Sequence, residues 1–181
     1  MTVKDIKIEN VVASATLDCK LPLDEIASKI PGTEWEPEQF PGMVYRIKEP
    51  KAASLLFSSG KIVCTGTKSP ELATIAVNKI VDSLKKAGIK IKGKPEITVQ
   101  NIVASASLGK TLKLNEIAFM LPNTEYEPEQ FPGLVYRIKK PKVAFLLFSS
   151  GRIVCTGGKN MKDVRKALKK LEYELKETGA I

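Results

Sequence analysis

Residues 55–66 read LLFSSGKIVCTG, and residues 146–157 read LLFSSGRIVCTG. The two stretches differ only at Lys61 against Arg152 and lie at an offset of 91. At the same offset EPEQFPG occurs at 36–42 and again at 127–133. Working outward, residues 8–66 and 99–157 align without a gap, with 40 identities in 59 positions. Two copies are too few to stack as a solenoid. They point to two pseudo-equivalent halves about an approximate two-fold axis, residues 1–91 and residues 92–181.

Each half carries the same local signals. Ile6 to Leu17 is rich in β-branched residues and reads as a strand. Leu23–Ile30 is a short amphipathic helix closed by Pro31-Gly32. Glu34–Gly42 holds two prolines and three glutamates, which predicts a loop reaching into solvent. Val44–Lys48, Ala53–Ser59 and Lys61–Thr65 read as strands, with turns at Glu49-Pro50 and Ser59-Gly60. Ser69-Pro70 caps a long helix with apolar residues at Leu72, Ile75, Ala76, Ile80, Val81 and Leu84, and Gly88 stops it. In the second half Asn160 caps and Gly179 stops the equivalent helix.

The chain has 29 basic and 20 acidic residues, a formal charge of +9 that suits a polyanionic partner. The excess is uneven: residues 1–91 carry 13 basic and 11 acidic side chains, and residues 92–181 carry 16 and 9. Histidine is absent, and the three cysteines form no C-x-x-C pair. The commonest general base is therefore missing, and no metal or cofactor is expected. No stretch approaches the ~20 apolar residues of a membrane span.

Strand alternation separates two faces. If the helices cover the face with Val11, Leu17, Leu56, Ile62 and Cys64, the other face shows Asn10, Val12, Leu55, Phe57, Val63 and Thr65, with Arg46 nearby. The second half repeats it with Asn101, Val103, Leu146, Phe148, Val154, Thr156 and Arg137. One alternative is a second core face, covered by a partner subunit or by the other repeat. Against it stand too few helices to cover both faces, polar residues among the apolar ones, and a basic rim of Arg46, Lys61, Arg137 and Arg152. An exposed apolar sheet of that kind is an interaction surface.

These residues carry a resemblance. The N-x-V pairs at Asn10/Val12 and Asn101/Val103, the EPEQFPG and VYRI blocks and the LLFSSG–IVCTG hairpins resemble the TATA-box-binding protein family, general transcription factors of archaea and eukaryotes. The close match between halves resembles the archaeal type. The resemblance spans the chain. It implies an α+β, pseudo-two-fold saddle: a curved ten-stranded antiparallel sheet with four helices on its convex side and the EPEQ loops as stirrups. It implies a minor-groove binder that bends DNA and nucleates the transcription preinitiation complex. The family's kinking phenylalanines fall by position on Phe40, Phe57, Phe131 and Phe148.

The chemistry agrees with that implication. The minor groove shows A·T and T·A as acceptors only, whereas G·C adds an amino donor. Asn10, Thr65, Asn101 and Thr156 can donate to those acceptors. Val12, Leu55, Val63, Val103, Leu146 and Val154 offer methyls that fit an A·T floor and clash with a guanine amino group. Arg46, Ser59, Lys61, Arg137, Ser150 and Arg152 are expected on phosphates, setting register rather than sequence. Glu127, Glu129 and Gln130 correspond to the family's contact with transcription factor B; the same EPEQ in the first half leaves open why one stirrup would be used. Further implied partners are the RNA polymerase preinitiation complex and regulators on the convex helices. The basic run Lys162, Arg165, Lys166, Lys169 and Lys170 reads first as a solvated helix face, with flanking DNA or an acidic regulator as the alternative. The location implied is cytoplasmic and nucleoid-associated if archaeal, nuclear if eukaryotic.

Cys64 and Cys155 read as buried small hydrophobes. Ser58–Lys61 lacks the glycine and Ser/Thr of a phosphate loop. An enzyme has no catalytic cluster to run on. The remaining rival is a protein scaffold that grips another subunit with its open sheet, without specific DNA recognition.

Overall fold

The computed structural model describes residues 2–181. The elements run β1 (Lys4–Thr16), α1 (Leu23–Lys29), β2 (Met43–Lys48), β3 (Lys51–Leu56), β4 (Lys61–Thr67), α2 (Pro70–Lys86), β5 (Glu96–Ser107), α3 (Leu114–Met120), β6 (Thr124–Glu125), β7 (Leu134–Lys139), β8 (Lys142–Leu147), β9 (Arg152–Gly158) and α4 (Met161–Glu177). The strands form one antiparallel sheet in the order β2-β3-β4-β1-β5-β9-β8-β7-β6. The class is α+β, with four helices among the described residues.

Nine strands form among the described residues where ten are implied by the resemblance. The tenth, the first-repeat counterpart of β6, is a single bridge in which Glu34 and Val44 exchange hydrogen bonds of 2.9 Å. In the second repeat the pairing reaches one residue further, to Thr124 opposite Tyr136. Thr124 is tied there by its hydroxyl to the carbonyls of Ala118 and Leu121, each at 3.2 Å.

Contacts divide the chain into two compact units. One is Asn10–Gln100; the other joins the segment ending at Glu9 to Asn101–Ile181. The leading ends of β1 and β5 thus belong to the unit of the opposite repeat.

In the Asn10–Gln100 unit, α2 starts where Ser69 Oγ accepts the Leu72 N–H at 3.1 Å and Pro70 takes the first helical position. Proline costs nothing there because its missing N–H would have no partner in the first turn. The helix buries Ala73, Ala76, Val77, Ile80, Val81 and Leu84. That stripe meets Ala15, Leu56, Ile62 and Cys64, the inward face of the strands, in one core cluster. Fully burying each Leu or Ile stabilises by about 1.5–3 kcal/mol. In the other unit Asn160 Oδ1 caps α4 through the Asp163 N–H at 2.8 Å. Val164, Ala167, Leu168, Leu171 and Leu175 are buried on the inward side of α4. Ile102, Ala104, Ala106, Leu147, Ile153 and Cys155 supply the buried strand face.

One strand ends sooner than its apolar pattern suggests. β3 stops at Leu56, not Ser59, and Phe57–Gly60 is the hairpin turn, closed by Gly60 N–H to Phe57 O at 3.0 Å. Phe57 therefore stands at the turn's entry rather than within a strand.

α4 also carries a buried carboxylate. Glu172 Oε1 accepts the Thr2 N–H at 2.5 Å and lies 3.2 Å from Lys176 Nζ. Burial pushes its carboxyl up, but the hydrogen bonds from Thr2 and Lys176 and the Lys176 charge outweigh burial and hold it at about 2. A depressed pKa stabilises the fold above the ordinary carboxylate range and is lost as pH falls through about 2. Denaturant unfolding at stepwise lower pH checks this. Wild type should lose stability as pH drops from about 4.5 toward about 2. Glu172→Gln should lack that part of the decline and start from a lower value at neutral pH.

Candidate nucleic-acid interface

Each unit leaves one sheet face without a helix over it. In the first, Arg46 pairs with Ala53 and Ala53 with Thr65. In the next row Val44 pairs with Leu55, Leu55 with Val63, and Val63 with Ser14. Val44, Leu55, Val63, Ser14 and Thr65 are half-buried, while Leu56, Ile62 and Cys64 behind them are fully buried. The second unit repeats both rows as Arg137–Ala144–Thr156–Val103 and Val135–Leu146–Val154–Ser105. Val12 and Val103 are half-buried on the same side. The strand residues expected on the open face from alternation thus share it in both units, whereas Phe57 and Phe148 stand just past the strand ends, at the hairpin turns.

The polar centre of each face is built by a β-bulge. β1 and β4 pair at Val11–Thr67 and again at Ala13–Cys64, so Thr65 and Gly66 together oppose Val12. A bulge frees one backbone N–H from the ladder. Here Gly66 N–H donates to Asn10 Oδ1 at 2.7 Å, and Gly157 N–H donates to Asn101 Oδ1 at 2.6 Å. Gly66 has φ +103 and Gly157 φ +109, where a side chain would be strained. A backbone N–H can only donate, so the carboxamide oxygen must face it and the amino group must face the threonine. Asn10 Nδ2 donates to Thr65 Oγ1 at 2.9 Å, and Asn101 Nδ2 to Thr156 Oγ1 at 3.1 Å. Each asparagine keeps a second amino proton. Each threonine proton has only a long internal alternative, at 3.3 and 3.5 Å. The result is a rigid cluster of donors between valine methyls, suited to acceptors and unsuited to an incoming amino group.

The four phenylalanines meet in pairs. Phe40 and Phe57 stack edge to face with centroids 6.1 Å apart, and Phe131 and Phe148 do the same at 6.1 Å. The EPEQ turn brings them together: Phe40 N–H bonds Glu36 O and Phe131 N–H bonds Glu127 O, each at 3.0 Å. Phe40 is 45% exposed and Phe131 44%, unusually open for such rings. Gly42 and Gly133 seat the pairs. A Cβ at Gly133 would lie 2.7 Å from Phe131 Cε2 and 3.1 Å from Phe148 Cε1, and Gly42 is equivalent. Gly133→Ala should therefore tilt the aromatic pair while leaving the thermal midpoint within a few degrees of wild type. Its expected signature is weaker DNA bending in an end-to-end fluorescence transfer assay.

The rim is basic, but two of its arginines are already engaged. Arg46 Nη1 donates to Glu34 Oε1 at 2.7 Å, and Arg137 Nη1 to Glu125 Oε1 at 2.8 Å. All four side chains are more than half exposed. An exposed pair of this kind is worth at most about 1 kcal/mol. A phosphate can replace the carboxylate at small cost, and the pair meanwhile holds the guanidinium in place. Beside these arginines lie grooves: one of about 450 Å3 lined by Ala53, Thr65 and Gly66, and one of about 900 Å3 lined by Ala144, Thr156 and Gly157. Lys61, Arg152, Ser59 and Ser150 are exposed on the hairpin turns beside the phenylalanines. Glu127, Glu129 and Gln130 are exposed on the second EPEQ turn, as are Glu36, Glu38 and Gln39 on the first.

Three pairs escape sequence reasoning. Glu34 and Glu125 hold the arginines, Gly42 and Gly133 seat the rings, and Glu9 and Gln100 reach the open face by hydrogen bonds. Ser105 Oγ donates to Glu9 Oε1 at 2.8 Å, and Gln100 Nε2 to Ser14 Oγ at 2.8 Å. Alternation alone places Glu9 with Val11, on the helix side. The available signal is that Glu against Gln breaks the repeat immediately before Asn10 and Asn101. The buried thiols behave as expected from their apolar surroundings: burial pushes Cys64 up to about 11 and Cys155 to about 12, away from reactivity.

The family model described as transcription factor TFIID (or TATA-binding protein, TBP) matches residues 5–87 and 96–178. A TATA-box-binding protein of Archaeoglobus fulgidus is 55% identical over 176 residues, covering 96% of each chain. One from Methanothermobacter thermautotrophicus is 51% identical over 181 residues, covering all of both. The solved structure of Methanococcus jannaschii TBP superposes with a TM-score of 0.90 at 52% identity, covering 96% of this chain and 99% of that one.

Proposed function

The chain belongs to the TATA-box-binding protein family, and on that premise we propose that its two open sheet faces hold the minor groove of an A/T-rich promoter box and bend it. As a member it binds TATA-box DNA and acts in transcription initiation; the relatives are transcription factors, not enzymes. The observation that carries the finer reading is the paired donor cluster. Asn10 with Thr65, and Asn101 with Thr156, present donors between valines in each unit. Adenine N3 and thymine O2 accept from such donors, and a guanine amino group cannot.

The aromatic pairs act as wedges. Each opened base step costs roughly a few kcal/mol, offset by the extra contact that bent DNA allows. Pyrimidine–purine T-A steps open most easily, which adds selectivity where no hydrogen bond is made. Arg46, Lys61, Arg137, Arg152, Ser59 and Ser150 bind phosphates and set register. Each repeat supplies one half of the interface. The exposed Glu127, Glu129 and Gln130 receive transcription factor B, through which the RNA polymerase preinitiation complex assembles. Regulators reach the helices; beside α4 a groove of about 520 Å3 is lined by Lys139, Lys140, Lys166 and Lys169. With relatives from archaea, the place of action is the cytoplasm at the nucleoid.

A gel shift over a salt series tests this against the scaffold alternative. The expected result is preference for a TATA-like duplex over a G/C-rich one, with affinity falling as salt rises. Equal affinity for both duplexes would favour a sheet that grips protein instead.

A further inference from the structure

The two repeats differ in charge along one stripe of α4. Lys166, Lys169, Lys170 and Tyr173 follow i, i+3, i+4 and i+7 spacing, so they share one side of the helix. That stripe borders the groove of about 520 Å3, whose other wall holds Lys139 and Lys140 from the end of β7 and its turn. Tyr136 and Ile138 also line it, and Glu174 is the one carboxylate in the lining. The equivalent first-repeat positions hold Glu49, Ile75, Asn78 and Asp82 where this groove has Lys140, Lys166, Lys169 and Tyr173. Of the five lysines only Lys139 and Lys170 have lysine counterparts, Lys48 and Lys79. Lys170 Nζ donates to the Lys140 carbonyl, as Lys79 Nζ does to that of Glu49, so a frame common to both repeats holds the ammonium at the groove. None of the five lysines forms an ion pair among the described residues. Like charges gathered without counter-charges work against the compact state. A partner that supplies negative charge accounts for the arrangement.

The floor narrows the choice of partner. Tyr136 is 7% exposed and Ile138 half-buried, while Tyr173 stands 61% exposed at the mouth. A phosphate backbone would engage the lysines and leave that apolar floor unused. An acidic peptide with apolar side chains between its carboxylates would use both. Tyr136 and Ile138 alternate with Val135 and Arg137 along β7, so the groove lies behind the open face and a duplex held there leaves it uncovered. We propose that this groove docks an acidic segment of a regulatory protein, with aspartates or glutamates on the lysines and an apolar side chain among Tyr136, Ile138 and Tyr173. This rests on the reading of the helices as the side that regulators reach.

The test uses the full chain bound to a TATA-like duplex, so that the open face is occupied. The probe is a short fluorescein-labelled peptide in which aspartates alternate with leucine and phenylalanine, and binding is read by anisotropy. The K140E/K169N variant carries the residues that the first repeat has at these positions. It should bind the peptide about tenfold more weakly, the scale of several exposed ion pairs acting together. The duplex should stay bound, and the thermal midpoint should stay within a few degrees of wild type. Y173A should weaken this peptide but not an all-aspartate one, because only the first has an apolar side chain to seat. The proposal is overturned if wild type does not bind the peptide, or if K140E/K169N binds it as well as wild type does. It is equally overturned if the TATA-like duplex displaces the peptide, if Y173A weakens neither peptide, or if a single-stranded oligonucleotide of equal charge binds more tightly. A chain that did not bind the TATA-like duplex would instead count against the DNA reading, and the same peptide and variants would then be measured on the free protein.

Discussion

Phe131→Ala with Phe148→Ala should remove the DNA kink at one end of the box and cut affinity by about a hundredfold or more. Stacking a base on an aromatic ring is worth about 1–3 kcal/mol, so two rings supply that scale. The rings are edge to face at 6.1 Å, and Phe131 is 44% exposed. Removing them therefore costs the fold little. Thermal unfolding should shift by a few degrees at most, while end-to-end fluorescence transfer on a bound duplex should report roughly half the bend, because the Phe40–Phe57 pair remains. An unaltered bend would show that the rings pack beside DNA rather than between bases.

The second large effect is expected at the asparagines. Asn10→Asp with Asn101→Asp keeps the acceptors for Gly66 and Gly157 N–H, so the bulges survive. It removes every donor that the carboxamides supply and sets two carboxylates against acceptor-only base edges. Leaving buried acceptors unpaired costs about 1–3 kcal/mol at each site, and charge adds to it. A/T affinity should fall by about a hundredfold or more, with unfolding of the free protein changed far less. Binding retained at wild-type strength would mean that the donor cluster serves the bulge and not DNA.

These effects follow from features that differ in how plainly the sequence displays them. The duplicated LLFSSG hairpins and the strand alternation place Leu55, Val63, Leu146 and Val154 on one face, and the register agrees. The helix caps at Ser69 and Asn160 are local and legible for the same reason. Phe57 is harder, because an apolar run does not reveal that the chain turns after Leu56. Arg46 and Arg137 read as free cations until distant carboxylates are placed beside them; Glu34 is twelve residues away in sequence and 2.7 Å away in space. Glu9 and Gln100 are harder still. Their partners lie 96 and 86 residues away, and period-two alternation assigns them to the opposite face. What the sequence hides at the arginines, Glu9 and Gln100 is a side-chain contact to a residue distant in the chain. Local periodicity carries no record of such contacts.

The central claim is that a donor-and-methyl surface reads the minor groove. Inosine–cytosine pairs present the minor-groove edge of an A·T-like pair, without the guanine amino group, while keeping a G·C-like major-groove edge. The most direct measurement is competition among three duplexes: a TATA-like box, the same box with its A·T pairs replaced by G·C, and the same box with inosine–cytosine pairs in their place. The inosine duplex should compete nearly as well as the TATA-like one, and the G·C duplex should fail. If the inosine duplex behaved like G·C, recognition would lie outside the minor groove, and the donor clusters at Asn10–Thr65 and Asn101–Thr156 would not be its reader.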